Sequence, residues 1–136
     1  MKNLVLVGGA GGIGRSLAVR AFDEGWEVTV MDLEKSLINH PPKKGIETRN
    51  IDLKDHLSIS KAFAGFKSLS GLVNLAGFMH GLNSLENTTN EEFDEVMSVN
   101  FRGAFIVAKE ALPLLKLCGG SMVNVVSGLA SNVRPN

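Results

Sequence analysis

The chain has 136 residues, 44% of them hydrophobic, and its 14 basic and 14 acidic side chains cancel to zero formal charge, which fits one ordinary globular domain and leaves no basic excess for nucleic acid. The single cysteine, Cys118, excludes an internal disulfide, and no Cys/His cluster has metal-ligand spacing, with His40, His56 and His80 scattered; the default is a reducing, cytoplasmic setting and no metal. No apolar run reaches the roughly 18 residues of a membrane span, and the glycines after Leu4–Val7 break the apolar helix that a signal peptide needs.

Lys2–Val7 reads as a buried strand, and it runs into Val7-Gly8-Gly9-Ala10-Gly11-Gly12-Ile13-Gly14. A strand that breaks into a glycine-dense turn and then a helix lets backbone approach a pyrophosphate, because no Cβ blocks contact and the helix N-terminus offers unpaired N–H groups. The glycines fit several spacings at once: Gly9, Gly11 and Gly14 as G-x-G-x-x-G, and Gly8, Gly12 and Gly14 as G-x-x-x-G-x-G. Gly9–Ser16 also approaches a P-loop, but Arg15 stands where that loop sends a lysine to the phosphates, and a planar guanidinium does not replace a compact ammonium.

Gly12–Glu24 carries Ile13, Leu17, Ala18, Ala21 and Phe22 at helical spacing, with Gly25 as its C-terminal stop. Trp26–Met31 is a second strand ending on Asp32. A carboxylate there, about 20 residues past the glycine turn, is placed to accept both hydroxyls of an adenosine ribose and to repel a 2′-phosphate, which favours NAD over NADP. The competing reading makes Asp32 a helix cap before Leu33-Glu34-Lys35. Asn39-His40-Pro41-Pro42 restricts the next segment to a short helical turn and a loop.

Ile46–Ile51 is a third strand, followed by Asp52-Leu53-Lys54-Asp55 and a helix over Leu57–Phe66. Asp52 either meets an adenine amino group or caps that helix. Leu69–Leu75 is a fourth strand whose end, Asn74-Leu75-Ala76-Gly77, is small enough for a ring to lie against the backbone. Thr88-Thr89-Asn90-Glu91-Glu92 opens a long helix with cap residues and first-turn acids, and its apolar positions from Phe93 to Leu112 fall on more than one side. Met122–Val126 is a fifth strand ahead of Ser127-Gly128. Strands alternating with helices predict an α/β, doubly wound parallel sheet, Rossmann-like and three-layered, with strand order 3-2-1-4-5 in a single domain over residues 1–136.

Four stretches, in this order, resemble the short-chain dehydrogenase/reductase family, in particular its single-domain branch. Gly8-x-x-x-Gly12-x-Gly14 is similar to its cofactor turn. Asn74-Leu75-Ala76-Gly77 is similar to its N-N-A-G motif and departs at Leu75. Ser98-Val99-Asn100-Phe101-Arg102-Gly103 resembles the helix segment with the active-site Asn, and Val123-Asn124-Val125-Val126-Ser127 the strand ending in the catalytic Ser. The resemblance implies hydride transfer between a nicotinamide and a carbonyl or alcohol, with Asn100 and Ser127 as catalytic residues. The cofactor-binding set expected is Gly8, Gly12, Ile13, Gly14, Asp32, Asp52, Leu53, Asn74, Ala76 and Gly77. Ser127 suits a donor to a substrate oxygen on which charge develops, and Asn100, a weak helix former in mid-helix, suits a water-holding place in a proton relay.

The departure is large. Family enzymes carry Tyr-x-x-x-Lys about a dozen residues after the Ser, whereas this sequence contains no Tyr and ends at Asn136. The expectation is therefore the N-terminal part of an oxidoreductase, incomplete on its C-terminal side and inactive as it stands, with the fifth strand left as a bare edge. The rival is a non-catalytic dinucleotide-binding or interaction module. Phe78, Met79 and His80 are expected to border a substrate pocket, and the long helix is where the family commonly pairs subunits, so a homo-oligomer is implied for the complete protein.

Overall fold

β1 (Asn3–Val7) is the centre of the sheet because both of its faces are apolar: Val5 and Val7 join one buried cluster, Leu4 and Leu6 the other. A strand covered on both sides reads as an unbroken hydrophobic run rather than an alternation. The computed structural model describes residues 2–81, 83–128 and 131. Around β1 lie β2 (Glu27–Asp32), β3 (Glu47–Asn50), β4 (Gly71–Asn74) and β5 (Ser121–Asn124), in the order β3-β2-β1-β4-β5. All the pairings are parallel. The predicted strand order and doubly wound architecture are what the structure contains.

On one face α1 (Gly12–Asp23) lays Ala18 and Ala21 against Leu4, Leu6, Val28 and Val30. On the other, α3 (His56–Phe63) and α5 (Ala104–Lys116) bring Ile59, Phe63, Val107, Ala111 and Leu115 onto Val5, Val7, Met31 and Leu72. Between β2 and β3 the chain forms only the six-residue α2 (Glu34–Asn39), ended by the prolines that follow His40. α4 (Asn90–Met97) opens on a full capping box: Thr89 Oγ1 accepts from Glu92 N, and the Glu92 carboxylate accepts from Thr89 N. Among the described residues no helix is long and apolar enough to cross a membrane.

Three local readings differ from the sequence expectation. Asp52 does not cap α3; Asp55 does, its carboxylate accepting from Leu57 N at 2.9 Å, while Asp52 Oδ1 takes Lys54 N at 2.9 Å inside the preceding turn. α3 stops at Phe63, and Gly65, at φ +85°, turns the chain away before Phe66. The long helix is not continuous: a turn of π-helix, Ser98–Gly103, separates α4 from α5. That wide turn coincides with a close contact, since a Cβ on Gly103 would stand 2.8 Å from Leu53 Cβ and 3.0 Å from its carbonyl oxygen. At the far side β5 is an edge strand among the described residues, and Val123 and Val126 are exposed.

Gly14 sets the packing of α1 against the turn that precedes it. A Cβ there would stand 2.5 Å from both the Cα and the carbonyl oxygen of Gly9. Backbone cannot yield as a flexible side chain does, so Gly14→Ala should lower unfolding free energy by about 1–3 kcal/mol. The urea midpoint of the variant measures this; a midpoint equal to that of the parent protein would show that the turn relaxes freely.

Candidate functional site

The chain leaves β1 through Gly8, whose φ of +75° lies in the left-handed region that favours glycine. Gly8 N and Gly9 N both donate to Met31 O, at 2.8 and 3.2 Å, which pins the turn to the end of β2. A Cβ on Gly8 would stand 2.6 Å from Ala76 N, so this glycine is where the turn after β1 meets the exit of β4. Gly12 is different: an added Cβ there would meet nothing within 4 Å. Gly8 and Gly14 are glycines because protein presses on them; Gly12 borders open space.

That space is a cavity of about 590 Å³ at the carboxyl ends of the strands, within the usual range for small-molecule sites. Gly8, Ala10, Gly11 and Gly12 form its floor, Asp32 and Ser36 one side, Asp52, Leu53 and Lys54 another. Ala76, Gly77 and Phe78 come from the β4 exit, and Glu95 and Val99 from the helical segment above. α1 begins beside it with no side-chain cap on Gly11 and no acid in its first turn. Its first N–H groups have no acceptor within the helix, and the helix end carries positive partial charge, which together make an anion site.

Asp32 is bound to backbone through both carboxylate oxygens and does not cap α2. Oδ2 accepts from Ala10 N at 3.0 Å and Oδ1 from Leu33 N at 2.8 Å, so the carboxylate is locked between the glycine turn and the end of β2. Each oxygen keeps a further lone pair for a hydroxyl. Leu33, not Asp32, is the N-cap residue of α2.

The β4 exit is wired in the same way. Buried Asn74 accepts from Ala76 N at 3.2 Å and donates through Nδ2 to Asn124 Oδ1 at 3.3 Å, tying β4 to β5. Asn100, in the π-helical turn, accepts through Oδ1 from Phe78 N at 2.9 Å and donates through Nδ2 to Phe78 O at 2.7 Å. A Cβ on Gly77 would stand 3.4 Å from Asn100 Oδ1, so Gly77 gives this clamp its room.

Of the cofactor-binding residues expected from sequence, Gly8, Gly12, Asp32, Asp52, Leu53, Ala76 and Gly77 line the cavity. Gly14 and Asn74 lie buried beneath it as supports, and Ile13 is exposed. Asn100 reaches the cavity through Phe78, while Ser127 is exposed beyond the carboxyl end of β5. Of the three residues expected at a substrate pocket, Phe78 is in the wall, Met79 is exposed, and His80 stands against Glu95. Sequence reasoning missed Arg15, Ser36, His40, Lys54 and Glu95 as cavity residues. Arg15, Ser36 and Lys54 carried a signal, lying within a turn or two of residues already singled out; His40 and Glu95 carried none.

The model of the short chain dehydrogenase family matches residues 2–136. The chain belongs to the short-chain dehydrogenase family. Dehydrogenase/reductase SDR family member 6 of Aquarana catesbeiana is 33% identical over 135 residues, covering 98% of this chain and 54% of its own length. Short chain dehydrogenase andC of Emericella variicolor is 30% identical over 143 residues, covering 97% of this chain and 57% of its own. A solved variant of actinorhodin polyketide ketoreductase with NADPH superposes with a TM-score of 0.86 at 25% identity, over 96% of this chain and 55% of that one. The chain thus spans about half the length of the curated relatives it matches.

One charged cluster in this short-chain dehydrogenase stands apart from the motifs. Glu95 pairs with Lys54 through Oε1 and lies 3.0 Å from His80 Nε2 through Oε2. The Lys54 hydrogen bond, aided by the charges of Lys54 and His80, holds the Glu95 carboxyl below the ordinary carboxylate range against a smaller opposing effect of burial. A depressed native value means that the native state favours the ionised form. The stabilisation is therefore present above the unfolded carboxyl pKa of about 4.3 and is lost as pH falls through the native value. Comparing urea midpoints of the parent protein and Glu95→Gln from pH 7 to pH 3 should show a gap that closes on acidification; a gap constant with pH would mean that the pairing leaves the carboxyl untouched.

Proposed function

We propose that this protein is an NAD-dependent oxidoreductase whose 136 residues, as one dinucleotide-binding domain, supply the cofactor cavity for hydride transfer between a nicotinamide and a carbonyl or alcohol. The observation that carries the reading is the presence in one cavity of an unobstructed Gly12 and the locked Asp32 carboxylate. The first turn of α1 and the glycine backbone would hold the pyrophosphate. Asp32 would accept the ribose hydroxyls, and Asp52 and Leu53 would border the adenine. The bound nicotinamide supplies or accepts the hydride.

Gly12→Val should abolish NADH binding while leaving the thermal melt close to that of the parent protein, because its Cβ would stand in the cavity with no neighbouring atom within 4 Å. Asp32→Ala should narrow a preference for NADH over NADPH. Equal affinity of the parent protein for both would remove the case for NAD. That outcome would favour a second reading, in which Arg15 and Ser36 on the same cavity receive a 2′-phosphate, as suits the likeness to a ketoreductase solved with NADPH.

Within this reading Ser127 orients the substrate oxygen and Asn100 positions the Phe78 backbone at the cavity wall. The family's Tyr and Lys are not among these residues: no Tyr occurs in the sequence. Positioned acid catalysis contributes about 10² to 10⁴ in rate, so the 136-residue chain should bind NADH but oxidise it negligibly over a panel of ketones and aldehydes. Turnover equal to that of a chain continuing through Tyr-x-x-x-Lys would show that another residue delivers the proton. No turnover by such a longer chain, with dinucleotide binding intact, would favour the non-catalytic module. The exposed row Phe93, Met97, Phe101 and Phe105, at steps of four along the α4–α5 segment, supports pairing of two copies through that surface.

A further inference from the structure

Three side chains from three separate elements converge between the exits of β3 and β4. Glu95 of α4 pairs with Lys54 of the turn before α3 and with His80 of the loop after β4. Phe78 stands among them. The His80 ring meets it edge-on, with centroids 5.3 Å apart, and Lys54 Nζ lies 5.9 Å from its centroid. Lys54, Phe78 and Glu95 are wall residues of the cavity.

We propose that His80 and Glu95 are positioning residues for dinucleotide binding: their contact holds the loop after β4, and with it the Phe78 wall, and holds it most firmly when His80 is protonated. The proposal rests on the dinucleotide reading of the cavity. Its geometric basis is the buried Nε2 of His80, which has no aligned hydrogen-bond partner although Glu95 Oε2 stands at 3.0 Å. A neutral ring with its lone pair on that nitrogen would set two acceptors face to face. A proton on that nitrogen turns the contact into attraction, and a charged imidazolium strengthens it further.

The charged groups around His80 are Glu95 from α4 and, through the same carboxylate, Lys54 from the turn before α3. Lys54 favours the ionised form of Glu95, so across the neutral range the carboxylate is a constant partner. Imidazole is the side chain whose charge ordinarily switches between about pH 5 and 8. The other tether of the loop, Asn100 on the Phe78 backbone, does not titrate. The wall therefore has one fixed anchor and one that responds to protons. Exposed ion pairs contribute little to global stability, so the effect belongs in ligand affinity rather than in the melting temperature.

Isothermal titration of NADH between pH 6.0 and 8.5, in two buffers of different ionisation enthalpy, reads both affinity and proton uptake. The parent protein should bind roughly two- to fivefold more weakly at the alkaline end, with protons taken up on binding near neutrality. His80→Gln and Glu95→Gln should each bind with a flat profile and no proton uptake, with thermal melts confirming that both are folded. A flat profile in the parent protein, with binding intact, overturns the proposal and spares the dinucleotide reading. A slope that persists in either variant also overturns it, since its source would then be charge acting directly on the ligand or another group of the cavity, such as His40. No NADH binding at any pH overturns the dinucleotide reading, and this proposal with it.

Discussion

The contact on which the cavity depends is backbone to backbone, where the turn after β1 meets the exit of β4. Val7 pairs with Asn74 and its carbonyl accepts from Leu75 N at 2.8 Å. The next step brings Gly8 so near Ala76 that no side chain fits between them. At the other end of the same seam Gly71 leaves room for Leu4, whose Cδ1 would stand 3.0 Å from an added Cβ. With β1 and β4 drawn together in this way, two chain exits lie side by side at the carboxyl edge of the sheet. The crevice they leave is the place where doubly wound sheets bind their ligands.

Polar atoms at this edge are used to lock loops to one another. Asp32 holds Ala10, Met31 O holds Gly8 and Gly9, Asn74 holds Asn124, and Asn100 holds both polar groups of Phe78. The first three join segments that follow or end different strands, and the last ties the loop after β4 to the helical segment above it, so the exits of β1 and β4 cannot move without breaking a bond to a neighbour. A site built of loops gains the rigidity of the sheet by this means, which is what positioned recognition requires. The exception is the contact of Glu95 with Lys54 and His80, where the links are between ionisable side chains at half-exposed positions.

Most of the architecture was legible because it is written in local patterns. An unbroken apolar run marks a strand buried on both faces, as in Leu4–Val7; glycines with an amphipathic run behind them mark the turn and α1; Asp32 and Asn74-Leu75-Ala76-Gly77 each end a strand. Strand order followed from alternation and from the handedness of crossovers, with no side-chain detail needed. The errors occurred where two local signals compete. Asp52 and Asp55 are equally good caps by type, and only the path of the chain at His56 selects Asp55. Nothing in the run from Asn90 to Lys116 announces a π-helical turn, and the close packing of Leu53 at Gly103 with which it coincides is a tertiary contact that the run itself does not encode.

By itself, then, the sequence determined the class of fold, the order of the strands and the position of the glycine turn, each of which depends on periodicity and spacing along the chain, while four motifs carried the resemblance to the family that the family model then matched. Tertiary structure alone decided which glycine yields space to protein and which to a ligand, since Gly8, Gly12 and Gly14 are identical in composition and differ only in their neighbours. It also decided that Lys54, His80 and Glu95 meet. They come from three elements that the sheet brings together at one edge, and a contact between residues far apart in sequence leaves no periodic trace in any of the segments that make it.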